Sequence, residues 1–387
     1  MSTPDPTQTI GEDEGERTVT VLELFFDLVF VLAITQDTSF LSANLDARGF
    51  YEGLLILALV WWSWVGYSWL TNSVDLDDEP TRIAFFVAMT GFVIVALATP
   101  EAFGSDATVF AVAYGVVRVM QVALYARGSS AAERAAILGL APGFFASVVL
   151  LLIGSVIGGD AQLILWTLAV VVDIGIPLVR GTDGFQVHAG HFAERHGLII
   201  IIALGESIVA VGGGASQEHL DLALITGAAL AVAAVAAMWW AYFDIVAIVA
   251  AHRLGQARGG ERNRLARDSY SYVHFFMVAG IVLLALGIKK TLAHTGDPLD
   301  AIPAIALCAG PAVYLFGHVL FRKRNVHTWN KQRIVTLVVL LALIPVAQQI
   351  DALGALAMVS LLLVGLVAYE TIRFREHRDR LKAQIAA

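Results

Sequence analysis

The feature that most restricts how this chain folds is a succession of apolar runs, each near 20 residues long, continuing almost from end to end. About 20 apolar residues, rising ~1.5 Å each in a helix, span the ~30 Å hydrocarbon layer of a bilayer. Such runs lie at about 20–40, 51–71, 82–100, 107–126, 136–157, 161–179, 196–213, 222–251, 269–289, 301–321, 333–349 and 353–372. Only Gly158-Gly159-Asp160 and the stretch Gln348 to Gly354 punctuate the longest apolar tracts. Each tract is read as a tight helical hairpin, because a single helix of about 40 residues exceeds any bilayer. The expected fold class is therefore all-α, a polytopic transmembrane helical bundle of about 12 spans.

Composition enters where it excludes alternatives. With 58% apolar and 15% charged residues the chain has too little polar surface to cover a soluble globule of 387 residues. The net charge of -8 misleads, since the acids cluster in the first 19 residues and in short loops, Asp75, Asp77, Asp78 and Glu79 among them. One cysteine, Cys308, forms no intrachain disulfide and no cysteine metal cluster. The polar, acidic start lacks the basic region and small-residue cleavage site of a secretory signal, so the first span is expected to stay as an uncleaved anchor.

The placement of Lys and Arg tests the span count independently. With the N-terminus inside, 21 of the 25 basic residues fall in inside segments; Arg48, Lys289 and Lys290 fall outside and Arg118 lies within a span. One missed span would invert every later loop, so the bias supports twelve crossings with both ends in the cytoplasm. The same scatter among inner loops argues against nucleic-acid binding.

The halves resemble each other. Ala58 to Trp64 (ALVWWSW) recurs as Ala236 to Tyr242 (AAMWWAY), and Phe86 to Leu97 (FVAMTGFVIVAL) as Phe275 to Leu286 (FFMVAGIVLLAL). The matches keep their order, place Asp27 near Glu206 and imply two parallel six-helix repeats about an axis along the membrane normal. The expected organisation is a polar acidic cytoplasmic N-terminus at 1–19, a first six-helix half at 20–180, a cytoplasmic linker at 181–195, a second half at 196–372 and a basic cytoplasmic tail at 373–387.

Val21 to Gln36 (VLELFFDLVFVLAITQ) and His191 to Val209 (HFAERHGLIIIIALGESIV) carry a resemblance to the bacterial low temperature requirement A family, over nearly the whole chain from about Thr18 to the last helix. The resemblance implies a multi-pass protein of the bacterial cytoplasmic membrane linked to growth in the cold. It carries over Glu23, Phe26 and Asp27 in the first span and His191, Glu194, Arg195, Gly205 and Glu206 around the seventh. His196 stands where relatives often have an aromatic residue.

Charged residues inside spans are costly and cannot face lipid, at about 2.5–3.5 kcal/mol each even on the lenient insertion scale. Asp27, Arg118, Asp173, Glu206 and Asp244 all fall inside expected spans. Glu23 and Asp27 share one helix face as a carboxylate ladder that passes or binds a cation; the plainer reading has Glu23 complementing the helix dipole and Asp27 paired with an arginine. Glu206 lies near the expected midplane after Gly205, which would let another backbone approach, and Gly212 to Gly214 would end that helix flexibly. It is either a proton-exchanging group or a permanent partner of Arg118. Asp173 and Asp244 would line an inner vestibule or reach interfacial water.

The segment His188 to His196 (HAGHFAERH) offers His188, His191 and Glu194 as weak metal ligands without the order of zinc hydrolases; Glu194 and Arg195 would otherwise fix the helix start. His274 and His318 read as hydrogen-bonded core residues, and Trp61 and Trp239 as packing residues. No P-loop, nucleophile elbow or cofactor fingerprint occurs, which disfavours ATP hydrolysis and gives no reason to invoke a cofactor or a catalytic residue. The expected function is a gradient-driven secondary transporter or proton-coupled carrier of an unknown small solute or ion, with Glu206, Asp27 and Arg118 at its core. The alternatives are a membrane-embedded enzyme and a non-transporting scaffold.

Overall fold

A computed structural model describes residues 17–215 and 219–386, and no strand occurs among them; most of the acidic stretch 1–19 lies outside these residues. Helix starts follow local chemistry. Thr20 caps α1 (Val21–Ala43) and Ser130 caps α5 (Ala131–Ile157), each in a reciprocal capping box with Glu23 or Glu133. Asp46, Asp78, Asp221 and Asp351 cap α2 (Ala47–Leu70), α3 (Glu79–Ala98), α8 (Leu222–Phe243) and α15 (Ala352–Arg373) through their carboxylates. In the acidic loop before α3 the Thr81 hydroxyl holds Asp78 below the usual carboxylate range. The first half is completed by α4 (Ala107–Gly128) and α6 (Gly159–Arg180).

The second half starts with α7 (Ala189–Ala215), seven residues before the expected span, so His191, Glu194 and Arg195 belong to the helix rather than to a linker. The expected span 222–251 breaks at Asp244 and Ile245 into α8 and α9 (Val246–Gln256). The next crossing is composite: α10 (Gly259–Leu265), a π-helical segment Ala266–Val273, and α11 (His274–Ala293). It is followed by α12 (Ala301–Val326). Against α12, α11 packs at backbone distance, since a Cβ on Gly280 would lie 2.5 Å from the Gly310 carbonyl oxygen.

Eleven helical stretches among the described residues are long and apolar enough to cross a membrane. The expected span 333–349 is not one of them, because it splits into α13 (Lys331–Ala342) and the single turn α14 (Ile344–Ala347). Pro345 lacks the amide that would continue the ladder there. The stretch nevertheless runs from one end of the bundle to the other. Asn330 and Arg333 bind Glu370 near the end of α15, while the Ala352 and Leu353 amides donate to the Asp297 and Thr295 carbonyls just before α12. The basic tail forms α16 (Arg375–Ala386), whose Arg378 and Lys382 pair with Asp244.

Helix α2 is central, with 89% of its apolar window buried inside the bundle, whereas α6 has 28%. The outer faces carry Ile164, Val171 and Val179 on α6 and Ile83, Val87 and Leu97 on α3, an exposed apolar surface that suits acyl chains and not water. Each half repeats one order of neighbours. In the first, α1 packs on α2 and α3, α3 on α4, α4 on α5 and α2 on α6; in the second, α7 packs on α8 and α11, α11 on α12, α12 on α13 and α8 on α15. The halves meet where α1 and α2 contact α7 and α11.

Candidate functional site

Two polar clusters occupy the α1–α7 seam between the halves. Glu23 meets Arg195 near one end and Thr35 meets Glu206 further along, so the two helices run parallel.

At the first cluster Arg195, with 0% of its surface exposed, links Glu23 and Asp27 of α1. Its terminal nitrogens donate to Glu23 Oε1 at 3.0 Å, Thr71 Oγ1 at 3.0 Å and Asp27 Oδ1 at 2.5 Å. Trp64 Nε1 donates to the same Asp27 oxygen at 2.9 Å, and His191 Nε2 lies 2.8 Å from Glu23 Oε1. The Thr20 amide and hydroxyl occupy Glu23 Oε2. The motif residue Phe26 packs beside this junction in a ring cluster with Phe30, Tyr67, Phe85 and Phe92. Asp27 is thus an arginine partner, and Arg118 is not the only basic residue deep in a span.

The second cluster has no such balance. Glu206 and Asp37 are 2% and 1% exposed. Glu206 Oε2 accepts from the Thr35 hydroxyl at 2.5 Å. Both Asp37 oxygens are buried without a hydrogen-bond partner, and the carboxyl lies within electrostatic reach of Glu206. Lys289 of α11 also lies within electrostatic reach of Glu206, but no ion pair with it forms. Asp37 was overlooked in the sequence because a lone acid ten residues after Asp27 resembles the polar end of a span; its position inside 20–40 was the available signal.

Arg118 does not pair with Glu206. It forms an ion pair with Asp173, which also accepts from Tyr114 at 2.7 Å, and donates to Gln121 at 2.7 Å while stacking over Phe144. Asp173 is therefore enclosed rather than lining a vestibule, and Asp244 is held by the tail. The proposed trio of Glu206, Asp27 and Arg118 falls into three separate environments.

Other expectations shift as well. A Cβ on Gly205 would meet nothing within 4 Å, so no backbone approaches it. Gly212 to Gly214 stay inside α7, and Gly214 is where the close approach occurs, with the Lys289 carbonyl oxygen 2.6 Å from a built Cβ. Trp61 is buried and donates to the Ser271 carbonyl at 2.9 Å, but Trp239 is 45% exposed and faces outward. Among the described residues no three His, Cys, Asp or Glu side chains are placed to hold one metal ion. His191 is committed to Glu23, the His188 amide donates to Asn72, and Glu194 borders a groove of about 360 Å³ along α7, α8 and α9.

His196, fully buried, sits among the rings of Trp61, Trp64, Phe192, Tyr270 and His274. The π segment and the first residue of α11 bring Tyr270 and His274 to this cluster; His274 bonds the Tyr242 hydroxyl at 2.8 Å, and His318 bonds Arg333 at 2.7 Å. The Arg333–Glu370 pair, 2.8 Å apart, was also overlooked because both residues read as the polar ends of spans.

A family model described as bacterial low temperature requirement A protein (LtrA) matches residues 18–368. An uncharacterized protein of Rhizobium meliloti (strain 1021) is 29% identical over 339 residues, covering 81% of this chain and 79% of the relative. No solved structure matches.

Proposed function

The chain belongs to the bacterial low temperature requirement A family, and from that premise we propose that it is a gradient-driven, proton-coupled carrier in the bacterial cytoplasmic membrane with both ends inside. The observation that carries this reading is the Asp37–Glu206 pair, two buried carboxyls within electrostatic reach of each other and without an ion-pair partner. Like charges in a low-dielectric interior do not both stay ionised, so the pair holds a proton or another cation. It lies at the seam between the halves, where relative movement opens a route to either side and changes the hydration on which proton affinity depends. The recurring order of helix neighbours and the parallel run of α1 and α7 support two parallel repeats about an axis along the membrane normal. The 21 of 25 basic residues in segments facing one side support the orientation.

The Arg195 junction, which ties both Glu23 and Asp27 to one guanidinium, favours a second reading, a static scaffold, since buried ion pairs fix helix register without moving. Proteoliposomes enclosing a pH-sensitive dye separate the two. A solute-dependent pH change that Glu206→Gln and Asp37→Asn abolish is expected from the carrier. Silence from folded, correctly oriented wild type across ions, sugars and amino acids selects the scaffold.

A further inference from the structure

Asp37 and Glu206 are close together but unlike in their surroundings. Glu206 Oε2 accepts from the Thr35 hydroxyl, and Lys289 lies within electrostatic reach of the carboxyl. Neither oxygen of Asp37 has a hydrogen-bond partner, and the charge that reaches it, that of Glu206, has the same sign. An ionised carboxylate buried without a donor costs far more than a neutral carboxyl in the same place, whereas a hydroxyl donor and a nearby cation favour the ionised form.

The packing of α11 against α7 directs Lys289 inward. The two helices run side by side in the same direction, since Ser207 donates to the Ile281 carbonyl and Gly214 abuts the Lys289 backbone further on. A Cβ built on Gly214 would lie 2.6 Å from the Lys289 carbonyl oxygen and 3.2 Å from its Cα. The lysine stem then lies beside Gly213, where a built Cβ would be 4.0 Å from Cδ and 3.6 Å from Cε. Helical side chains lean toward the N-terminus of their own helix, which for α11 is the direction of Glu206, about two turns before Gly213 on nearly the same face of α7. Lysines near helix ends ordinarily extend to the interface; two successive glycines give this one a path along α7 instead. The charged groups that reach the carboxyls are thus each other and Lys289, with Lys290 beside the latter.

We infer that Asp37 carries the proton of this pair while Glu206 stays ionised, held by the Thr35 hydroxyl and balanced by Lys289. Two carboxyls, one proton and one ammonium sum to zero, so the buried group carries no net charge. Among the described residues no third acid, histidine or cysteine joins the pair to hold a metal ion, and a proton needs neither a cavity nor further ligands. Lys289 is a positioning residue: by keeping Glu206 ionised it keeps the proton on Asp37. That this proton is the one carried across the membrane rests on the carrier reading above; its placement does not.

Dicyclohexylcarbodiimide, an apolar reagent, adds to protonated carboxyls: the acid proton passes to a carbodiimide nitrogen and a carboxyl oxygen bonds to the central carbon. The full chain in nanodiscs is treated across a pH series, and adducts on Asp37 and Glu206 are mapped by peptide mass spectrometry. Near neutral pH, labelling at Asp37 and not at Glu206 is expected. In Lys289→Met, labelling of Glu206 is expected to extend about one pH unit higher than in wild type, because the ionised form loses its counter-charge, whereas Lys289→Arg keeps the wild-type profile. Gly213→Val fills the lysine path and is expected to move the Glu206 profile in the same direction, which decides the matter if Lys289→Met shows no thermal transition. Labelling of Glu206 in preference to Asp37, labelling of neither, or one Glu206 profile shared by wild type, Lys289→Met and Gly213→Val overturns the assignment, as does an equal shift in Lys289→Arg. Selective Asp37 labelling with no proton movement in the dye assay keeps the assignment and removes the carrier; proton movement with Glu206 as the labelled acid does the reverse.

Discussion

The two ends of the α1–α7 seam use the same helices and opposite electrostatics. At one end Glu23 and Asp27 face Arg195 and His191, and the shared guanidinium leaves few oxygens unsatisfied. About ten residues on, roughly 15 Å along each helix, Asp37 and Glu206 lie close together, with the Thr35 hydroxyl donating to Glu206 and neither Asp37 oxygen hydrogen-bonded. A buried charge paired and hydrogen-bonded fixes register, whereas on the carrier reading buried acids that form no ion pair exchange a proton or cation. The difference separates a latch from what the carrier reading makes a titrating element within one helix pair.

The largest effect is expected from breaking the latch. Arg195→Met leaves two buried carboxylates uncompensated and should cost about 3–5 kcal/mol in detergent unfolding. Adding Glu23→Gln and Asp27→Asn should recover much of that loss, and no recovery would mean that Arg195 acts by packing. Next comes the far end of α7. Gly214→Ala forces a methyl against the Lys289 carbonyl and should destabilise by about 1–3 kcal/mol, while Gly205→Ala, facing open space, should be neutral or stabilising by up to about 1 kcal/mol. Equal melting shifts for the two glycine variants would contradict the packing described. Thr35→Val removes the hydroxyl that donates to Glu206 and should cost about 1 kcal/mol. The smallest stability change belongs to the titrating element: Asp37→Asn or Glu206→Gln relieves like-charge repulsion and should shift unfolding by less than about 0.5 kcal/mol while abolishing proton movement. A loss as large as that of Arg195→Met would erase the distinction between the two ends.

Several parts of this arrangement were legible from residue order. Thr20 and Glu23 announced the start of α1, as Ser130 and Glu133 did for α5, because a capping box is a contact between neighbours in sequence. The motif residues Glu23, Asp27, His191 and Arg195 were singled out together, although nothing in their spacing said that they meet. Other parts were hidden. The break in α13 turns on one proline in an otherwise apolar run, and Arg118 was matched to Glu206 because hydropathy carries no information on which helix faces which.

The sequence by itself determined the solvent of this protein, its family, the approximate positions of its crossings and the residues whose charge demands compensation, since transfer free energies accumulate along one dimension. Only the tertiary structure decided the pairings. Rotation of each helix about its axis and the packing between the halves give Asp27 and Asp173 their arginines and leave Asp37 beside Glu206 without one. A single 100° step per residue separates a lipid-facing side chain from one that meets the partner half, so which acid gains an arginine and which is left unpaired is a property of the assembled bundle.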